Sequence, residues 1–376
     1  MGYHLSMIKY DVVIIGAGCS GLSLAYRLLN TNKKVCVIEK FSKSKRVPKT
    51  WSYWNVYDHP FKNLEINRLS ELFVRNDSMV KINCANNTYN SIDSLDFDKY
   101  IFDKISDSEN IDLLFDTNIT NLEHTGVDIR IDTEDDVFRT THVFDSRPYK
   151  QQYSMYQVFL GYKISHANKD IPAMLMDFQK SDDFNFVYVV PFSNDTILFE
   201  TTYFTSNRYK ADEMRDELDS YIKESVGGEY TKVSEEYGII PMTSYQTESQ
   251  YRTNWYKLGI PSGATRGSTG YTFINIQKQC DYYFNIINGK SVSNPLDTFK
   301  RRILRYMDGI ILQMINDRPV EASKIIHRMF QKNNSVTLIK FLSDIPSFFD
   351  IIRIISNMPK MIFIKYAIVS FFRKKI

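Results

Sequence analysis

Apolar and polar positions follow three rhythms along this chain. In the first part, short unbroken apolar runs frame a helical stretch. Tyr10 to Ile15 is such a run and ends in Gly16-Ala-Gly-Cys-Ser-Gly21; Leu22 to Leu29 is apolar with helical spacing, and Lys34 to Ile38 is a second run ending at Glu39. Unbroken runs of this length are expected of strands covered on both faces, so the segment reads as strand, helix and strand of a parallel sheet. Strand-like segments follow at Leu72 to Arg75, Met79 to Asn83 and Ile111 to Phe115, with a helix predicted over Leu95 to Ile105. Val127 to Asp132 and Phe138 to Phe144 read as a strand pair around the acidic tip Thr133 to Asp136. The second rhythm is two-residue alternation. Tyr156 to Ile164, Ala173 to Phe178, Phe184 to Val190 and Thr196 to Tyr203 are separated by polar turns, which predicts an antiparallel sheet. An amphipathic helix over Ala211 to Glu224 stops before Gly227-Gly228, and strand character returns at Val233 to Ile240. A Gly/Ser/Thr-rich loop, Gly259 to Gly270, leads into a helical run from Tyr271. The third rhythm, from Leu296 to the end, is helical and broken by Pro346 and Pro359.

The first rhythm carries chemistry. Strand, G-x-G-x-x-G, helix, second strand and terminal acid stand in the order of a dinucleotide-binding unit. In such a unit Gly16 makes the tight turn, Gly18 lets the backbone approach a pyrophosphate, and Gly21 lets helix and strand pack closely. The helix N-terminus turns unpaired N–H groups and a positive dipole end toward phosphate, and Glu39 accepts from ribose hydroxyls. By itself the unit fits FAD and NAD equally. The later parts, Asp145-Ser-Arg147-Pro148 at a strand end and the Gly259 to Gly270 loop, suggest that nucleotide-binding segments are discontinuous with a sheet inserted between them. That layout is typical of two-domain flavoproteins and favours FAD. The expected fold is α/β: a Rossmann-like FAD-binding domain from residues 1–75, 95–155 and 235–290, an inserted mainly antiparallel substrate sheet from 76–94 and 156–234, and a helical C-terminal region, 291–376.

Composition adds limits. With 376 residues, 43% hydrophobic and 24% charged, the chain can bury a sizeable core. A net charge of +3 is too mild to argue for nucleic acid. Four scattered cysteines without a C-x-x-C suit a reducing compartment, and six unclustered histidines suggest no metal site. The 25 Tyr and 25 Phe residues fit either an aromatic-lined pocket or compositional drift. Residues 1–9 are too short and polar for a signal peptide, and no apolar run is long enough to span a bilayer. The terminal stretch Lys360 to Ile376 joins basic residues to an apolar face; it fits an interfacial membrane helix or a helix docked on the core. The expected location is cytoplasmic, at the inner face of a membrane.

Eight segments together resemble the lycopene cyclase family of FAD-dependent proteins. They are Gly16 to Gly21, Lys49-Thr-Trp-Ser-Tyr-Trp54, Asp145-Ser-Arg-Pro148, Gln157-Val-Phe-Leu-Gly161, Met176-Asp-Phe178, Pro191-Phe-Ser193 with Phe199-Glu-Thr-Thr202, Gly238-Ile-Ile-Pro-Met242, and Ser268-Thr-Gly-Tyr-Thr-Phe273. The resemblance implies a linear carotene such as lycopene as substrate, a β-ionone ring as product, and FAD kept reduced by NAD(P)H with no net redox change. Such cyclisation asks for a strong acid in a water-free site, because an alkene is a very weak base and water would quench the cation.

The family's essential glutamate falls on Glu200, where an aromatic setting would raise the carboxyl pKa. Some relatives carry a second acid next to it; here Thr201 follows. Asp177 is the second catalytic candidate, as a hydrogen-bond partner of Glu200 or an orienting group. Trp51, Tyr53, Trp54 and Phe199 are candidate substrate-lining aromatics, able to stabilise a cation through their π faces or simply to pack the core. Asp145, Arg147, Gly267, Thr269 and Gly270 join Gly16, Gly18, Gly21 and Glu39 as cofactor-binding candidates. The competing reading is a flavin-dependent oxidoreductase, a monooxygenase or isoprenoid reductase, acting on a lipophilic substrate.

Overall fold

The structure, a computed structural model, describes residues 7–148, 153–165, 171–192, 195–207, 209, 211–245 and 247–373, the last three of these by backbone alone. Ser193 of the Pro191-Phe-Ser193 segment and the final residues 374–376 of the tail lie outside them.

The N-terminal unit forms as its pattern predicts. Strand Met7–Ile15 lies between Val137–Asp145 and Val35–Ile38, all parallel, and Ile111–Leu114 and Trp255–Lys257 flank them. Residues Val12 to Ile15 and Val35 to Ile38 are almost wholly covered, which is why their sequence runs apolar without alternation. The helix after the glycines spans Cys19–Leu28 and buries Leu22, Leu24, Ala25 and Leu28. The helix Ser94–Ser106 is capped by Asp93, whose side chain accepts from Leu95 N–H at 2.8 Å. The acidic tip joins Ile129–Thr133 to Val137–Asp145 as an antiparallel hairpin.

The two-residue rhythm becomes a seven-stranded sheet. Its order is Thr231–Met242, Met155–Ser165, Thr196–Thr205, Phe184–Pro191, Met174–Phe178, Glu71–Arg75, Met79–Asn83. Two strands fall on the other side of the expected boundaries. Glu71–Arg75 was assigned to the nucleotide-binding part but pairs in parallel with Met174–Phe178. Thr231–Met242 pairs with Met155–Ser165 along nearly its whole length, so the sheet runs to Met242 rather than 234. Edge pairing across long sequence separations leaves no local mark, which is why the pattern did not reveal it. The aromatic segment Thr50–Trp54 is a strand too, in a small sheet with Tyr89–Asp93 and Glu65–Leu69.

The large sheet is covered on both faces. One face packs against the helix Ala211–Val226 through Met214, Leu218, Ile222, Val158, Leu160, Val187 and Phe199. The other faces the helices Phe299–Asp317, Pro319–Lys332, Ser335–Leu342, Phe348–Asn357 and Lys360–Arg373. Pro346 and Pro359 fall in the turns before the last two of these, as a residue lacking an N–H and fixed in φ should. The space between this second face, the small sheet and the helix Phe273–Ile287 is the interior of interest.

Candidate active site

A cavity of about 1610 Å³ runs from the glycine loop to the C-terminal helices. Ligand pockets commonly enclose roughly 300–1,000 Å³, so this one has room for more than one drug-sized molecule. One end is lined by Gly18, Cys19, Ser20, Glu39, Lys45 and Arg46. The middle is lined by Glu200, Glu236, Tyr188, Tyr89, Tyr271 and Trp51, and the far end by apolar side chains of the C-terminal helices.

The glycine end has the features a dinucleotide needs. Gly16 has φ +97°, a conformation few side chains tolerate. A Cβ on Gly21 would stand 1.9 Å from the Gly16 carbonyl oxygen, so helix and loop touch only because Gly21 is bare. No protein atom lies within 4 Å of where a Cβ of Gly18 would be. Gly18 is the N-cap of the helix and has no side chain to bond its first N–H groups, which stay available to phosphate. Glu39 accepts from Ala17 N–H at 2.8 Å and Phe41 N–H at 3.0 Å, which fixes its carboxylate at the cavity wall. Arg46 donates to the Ala17 carbonyl at 2.7 Å and pairs with Asp98. The basic stretch Lys40 to Lys49 reads as plain surface loop in the sequence, yet Lys45, Arg46 and Lys49 line this end of the cavity. These donors and acceptors fit a dinucleotide.

Other cofactor candidates are spread more widely. Ser146 and Pro148 reach the cavity, whereas Asp145 and Arg147 bind each other, at 2.9 and 2.7 Å, and are absent from its lining among the described residues. Thr269 and Gly270 line it beside the start of the helix Phe273–Ile287; Gly267 packs under the Thr243 carbonyl instead. Buried Arg266 and half-buried Ser268 hold Asp308 of the helix Phe299–Asp317, at 3.3 and 2.6 Å, and Ser268 and Asp308 also line the cavity.

Strand alternation sorts the remaining candidates. In Thr196–Thr205, Leu198, Glu200 and Phe204 face the cavity, while Phe199 joins the core beneath the helix Ala211–Val226. Phe199 is therefore not a cavity residue. Asp177 is likewise turned away: it accepts from Arg75 Nε at 2.7 Å and Tyr221 Oη at 2.5 Å on the helix-covered face, and the expected bond to Glu200 does not form. Its neighbours Leu175 and Met176 line the cavity in its place. Trp51 lines the cavity and stacks on Phe273, but Tyr53 and Trp54 are core residues, with Tyr53 bonded to Glu65 at 2.9 Å and Trp54 packed on Tyr89.

Across the sheet, one row of paired residues reads Glu236, Gly161, Glu200, Tyr188. All four side positions point the same way. Glu200 accepts from Thr202 Oγ1 at 3.1 Å. Burial holds its carboxyl well above the usual carboxylate range, and the charge of Glu236 adds to the effect. Glu236 accepts from Thr50 N–H at 2.7 Å through Oε2, and burial pushes it up to about 7. Tyr188 donates to Tyr89 Oη at 3.1 Å, and Tyr89 approaches Tyr271 at 3.4 Å, giving Glu200 an aromatic surround. Glu236 was missed in the sequence; the available signal was its position two residues before the Gly238 to Met242 segment. Thr201, which stands where some relatives have a second acid, faces Glu217 on the opposite side of the sheet, at 3.3 Å, so an acid there would not reach the cavity.

Comparison with known proteins gives the fold class and the family. Solved structures with the same fold include a geranylgeranyl bacteriochlorophyll reductase-like protein from Thermoplasma acidophilum (TM-score 0.63, 12% identity, 95% of this chain and 98% of that one). A flavoprotein/dehydrogenase from Cytophaga hutchinsonii (0.64, 14%, 97% and 100%) and the p-nitrophenol 4-monooxygenase of Pseudomonas putida (0.61, 11%, 97% and 98%) align equally fully. At these identities the likeness is one of fold: the FAD-dependent oxidoreductase architecture of Rossmann sheet, antiparallel substrate sheet and C-terminal helices. In sequence, an uncharacterised protein of Methanosarcina barkeri is 29% identical over 146 residues, and the match spans 37% of either protein. The family model described as lycopene cyclase protein matches residues 11–367, nearly the whole chain, and the protein belongs to the lycopene cyclase family.

Proposed function

We propose that this protein cyclises the linear end groups of lycopene, or of a related carotene, to β-ionone rings. The observation that carries the reading is Glu200: a carboxyl that burial raises well above the usual carboxylate range, facing an aromatic cavity continuous with a nucleotide-binding loop. A protonated carboxylic acid in such a place can deliver a proton to an alkene, and the surrounding rings exclude water and favour a cation. Gly16, Gly18, Gly21, the start of the helix Cys19–Leu28 and Glu39 would hold FAD, with Thr269 and Gly270 toward its flavin. When bound and kept reduced by NAD(P)H, FAD would supply negative charge beside the developing cation, with no net redox change. In this reading the nucleotide-binding domain is discontinuous and the seven-stranded sheet is the substrate domain inserted in it.

The substrate is a hydrocarbon of the bilayer, and the far end of the cavity fits that source. Ile352, Ile355 and Ile364 line it and are also about half exposed, beside the exposed Phe348, Phe349 and Met361 and the basic Lys360. The terminal helix is docked through Tyr366, whose neighbour Ala367 accepts from Tyr306 Oη at 2.7 Å, and turns Met361, Ile364 and Ile368 outward. We read these two helices as a peripheral membrane contact at the cytoplasmic face; among the described residues no helix is long and apolar enough to cross a membrane.

Expression in a host that accumulates lycopene, followed by pigment chromatography, tests the function. Wild type should yield cyclised pigment, and Glu200→Gln should bind FAD yet leave lycopene unchanged. Cyclised pigment at wild-type levels from Glu200→Gln would remove Glu200 from its role. The second reading, a flavin oxidoreductase on a lipophilic substrate, is favoured by the fold of the structural neighbours. It requires NAD(P)H consumption in step with product, which a cyclase does not.

A further inference from the structure

The closing ring must lose a proton, and Glu200 has just become a carboxylate when it gave one. Whatever removes the ring proton must stand in the same cavity, be free to accept, and be able to return the proton afterwards. The row Glu236, Gly161, Glu200 supplies a second group. Each carboxyl sits on a strand next to Gly161, so the two backbones are about 10 Å apart at ordinary strand spacing, with both side chains on one face. The Glu236 side chain folds over the bare glycine: a Cβ on Gly161 would lie 3.0 Å from Glu236 Cγ and 3.3 Å from Glu236 Oε1. Oε2 is fixed by the Thr50 N–H, whereas Oε1 is buried without a hydrogen-bond partner among the described residues. Glu236 is 7% exposed and lines the cavity. A buried carboxyl with one oxygen anchored and the other free in the cavity is an acceptor kept in reserve, since unpaired buried polar atoms are otherwise costly.

We propose that Glu236 is a second catalytic carboxyl, the base that takes the proton given up by the closing ring. The assignment rests on the cyclase reading above. The Glu200 acid proton goes to the end-group alkene, whose π pair forms the new C–H bond and leaves a tertiary cation. The π pair of the neighbouring alkene forms the ring C–C bond and moves the cation to the next tertiary carbon. The adjacent C–H bond then breaks; its electron pair becomes the ring double bond, and its proton goes to the Glu236 carboxylate. Passing that proton across Gly161 to the Glu200 carboxylate restores the start, with no electron gained or lost.

The test uses the full chain with FAD reduced in excess, and lycopene in phospholipid vesicles. FAD content and melting temperature report folding. Glu236→Gln should retain FAD and stay folded, with a melting temperature at pH 8 no lower than that of wild type, lower single-turnover ring formation by about a hundredfold or more, and release a mixture of ring isomers or alcohol. Lycopene deuterated at the carbon that loses its proton should show a primary isotope effect in this variant and little in wild type, because proton loss becomes the slow step. Glu236→Asp should restore a single ring product. If Glu236→Gln folds poorly, Gly161→Ala, which keeps the carboxyl but crowds it, should show the same isotope effect. A wild-type rate and a single ring isomer from the folded variant would overturn the base role and leave the cyclase reading standing. Wild type that forms no ring at all would overturn the cyclase reading itself.

Discussion

Replacing Glu236 with Gln should change how folding stability depends on pH, and the size of the change follows from its setting. Its carboxyl ordinarily titrates at 4.5 and is pushed up to about 7, chiefly by burial; the backbone N–H and side-chain hydroxyl of Thr50 and the charge of Lys163 oppose the rise, and Asp93 adds to it. Lys163 and Asp93 also bind each other at 2.7 Å, which limits what either does to Glu236. Because the folded pKa is the higher one, the folded state holds the proton more tightly. Below pH 4.5 both folded and unfolded chains are protonated and stability from this group is complete. Between pH 4.5 and 7 it is progressively lost, and above 7 the folded state carries a desolvated charge. At 1.36 kcal/mol per unit, the loss is about 3 kcal/mol. Gln keeps an acceptor for Thr50 N–H but adds donors where Oε1 had no partner, at a cost of about 1 kcal/mol. The variant should therefore be about as stable as wild type at pH 5, where wild type has already lost about 0.8 kcal/mol of this contribution, and about 2 kcal/mol more stable at pH 8. Urea melts at pH 5, 6, 7 and 8, at one ionic strength and one saturating FAD concentration, give the comparison, provided the slope m stays constant. Parallel pH profiles for wild type and variant would refute the argument that burial governs this carboxyl.

Asp177 should prove structural: Asp177→Asn weakens its bonds to Arg75 and Tyr221 and should lower stability by about 1–3 kcal/mol, seen in a urea melt, with pigment yield per folded molecule unchanged. Lost cyclisation at unchanged stability would return it to the site. Changing Phe348, Phe349 and Met361, each at least 66% exposed, to Ser should reduce vesicle co-sedimentation by roughly tenfold or more, since burying one such side chain is worth about 1.5–3 kcal/mol. Flavin binding should not change, and undiminished sedimentation would remove these helices from membrane contact.

The sequence by itself determined the local elements and the nucleotide loop. Unbroken apolar runs, glycine spacing and Glu39 lie within thirty or so residues, and the packing of Gly21 against Gly16 is local enough to be written there. Alternation predicted the sheet strands, and the motif at Phe199 to Thr202 pointed to Glu200. What alternation cannot supply is which face is which: Phe199 and Glu200 stand alike as candidates until the helix Ala211–Val226 covers one side and the cavity occupies the other. That choice sent Phe199 and Asp177 away from the site. Only tertiary structure could bring Glu236 to Glu200, because they meet through Gly161 on a strand far from both in the chain. The same holds for the raised carboxyls. A pKa is set by what surrounds the group in space, and the residues that bury Glu200 and Glu236 come from the other strands and the C-terminal helices that close the cavity.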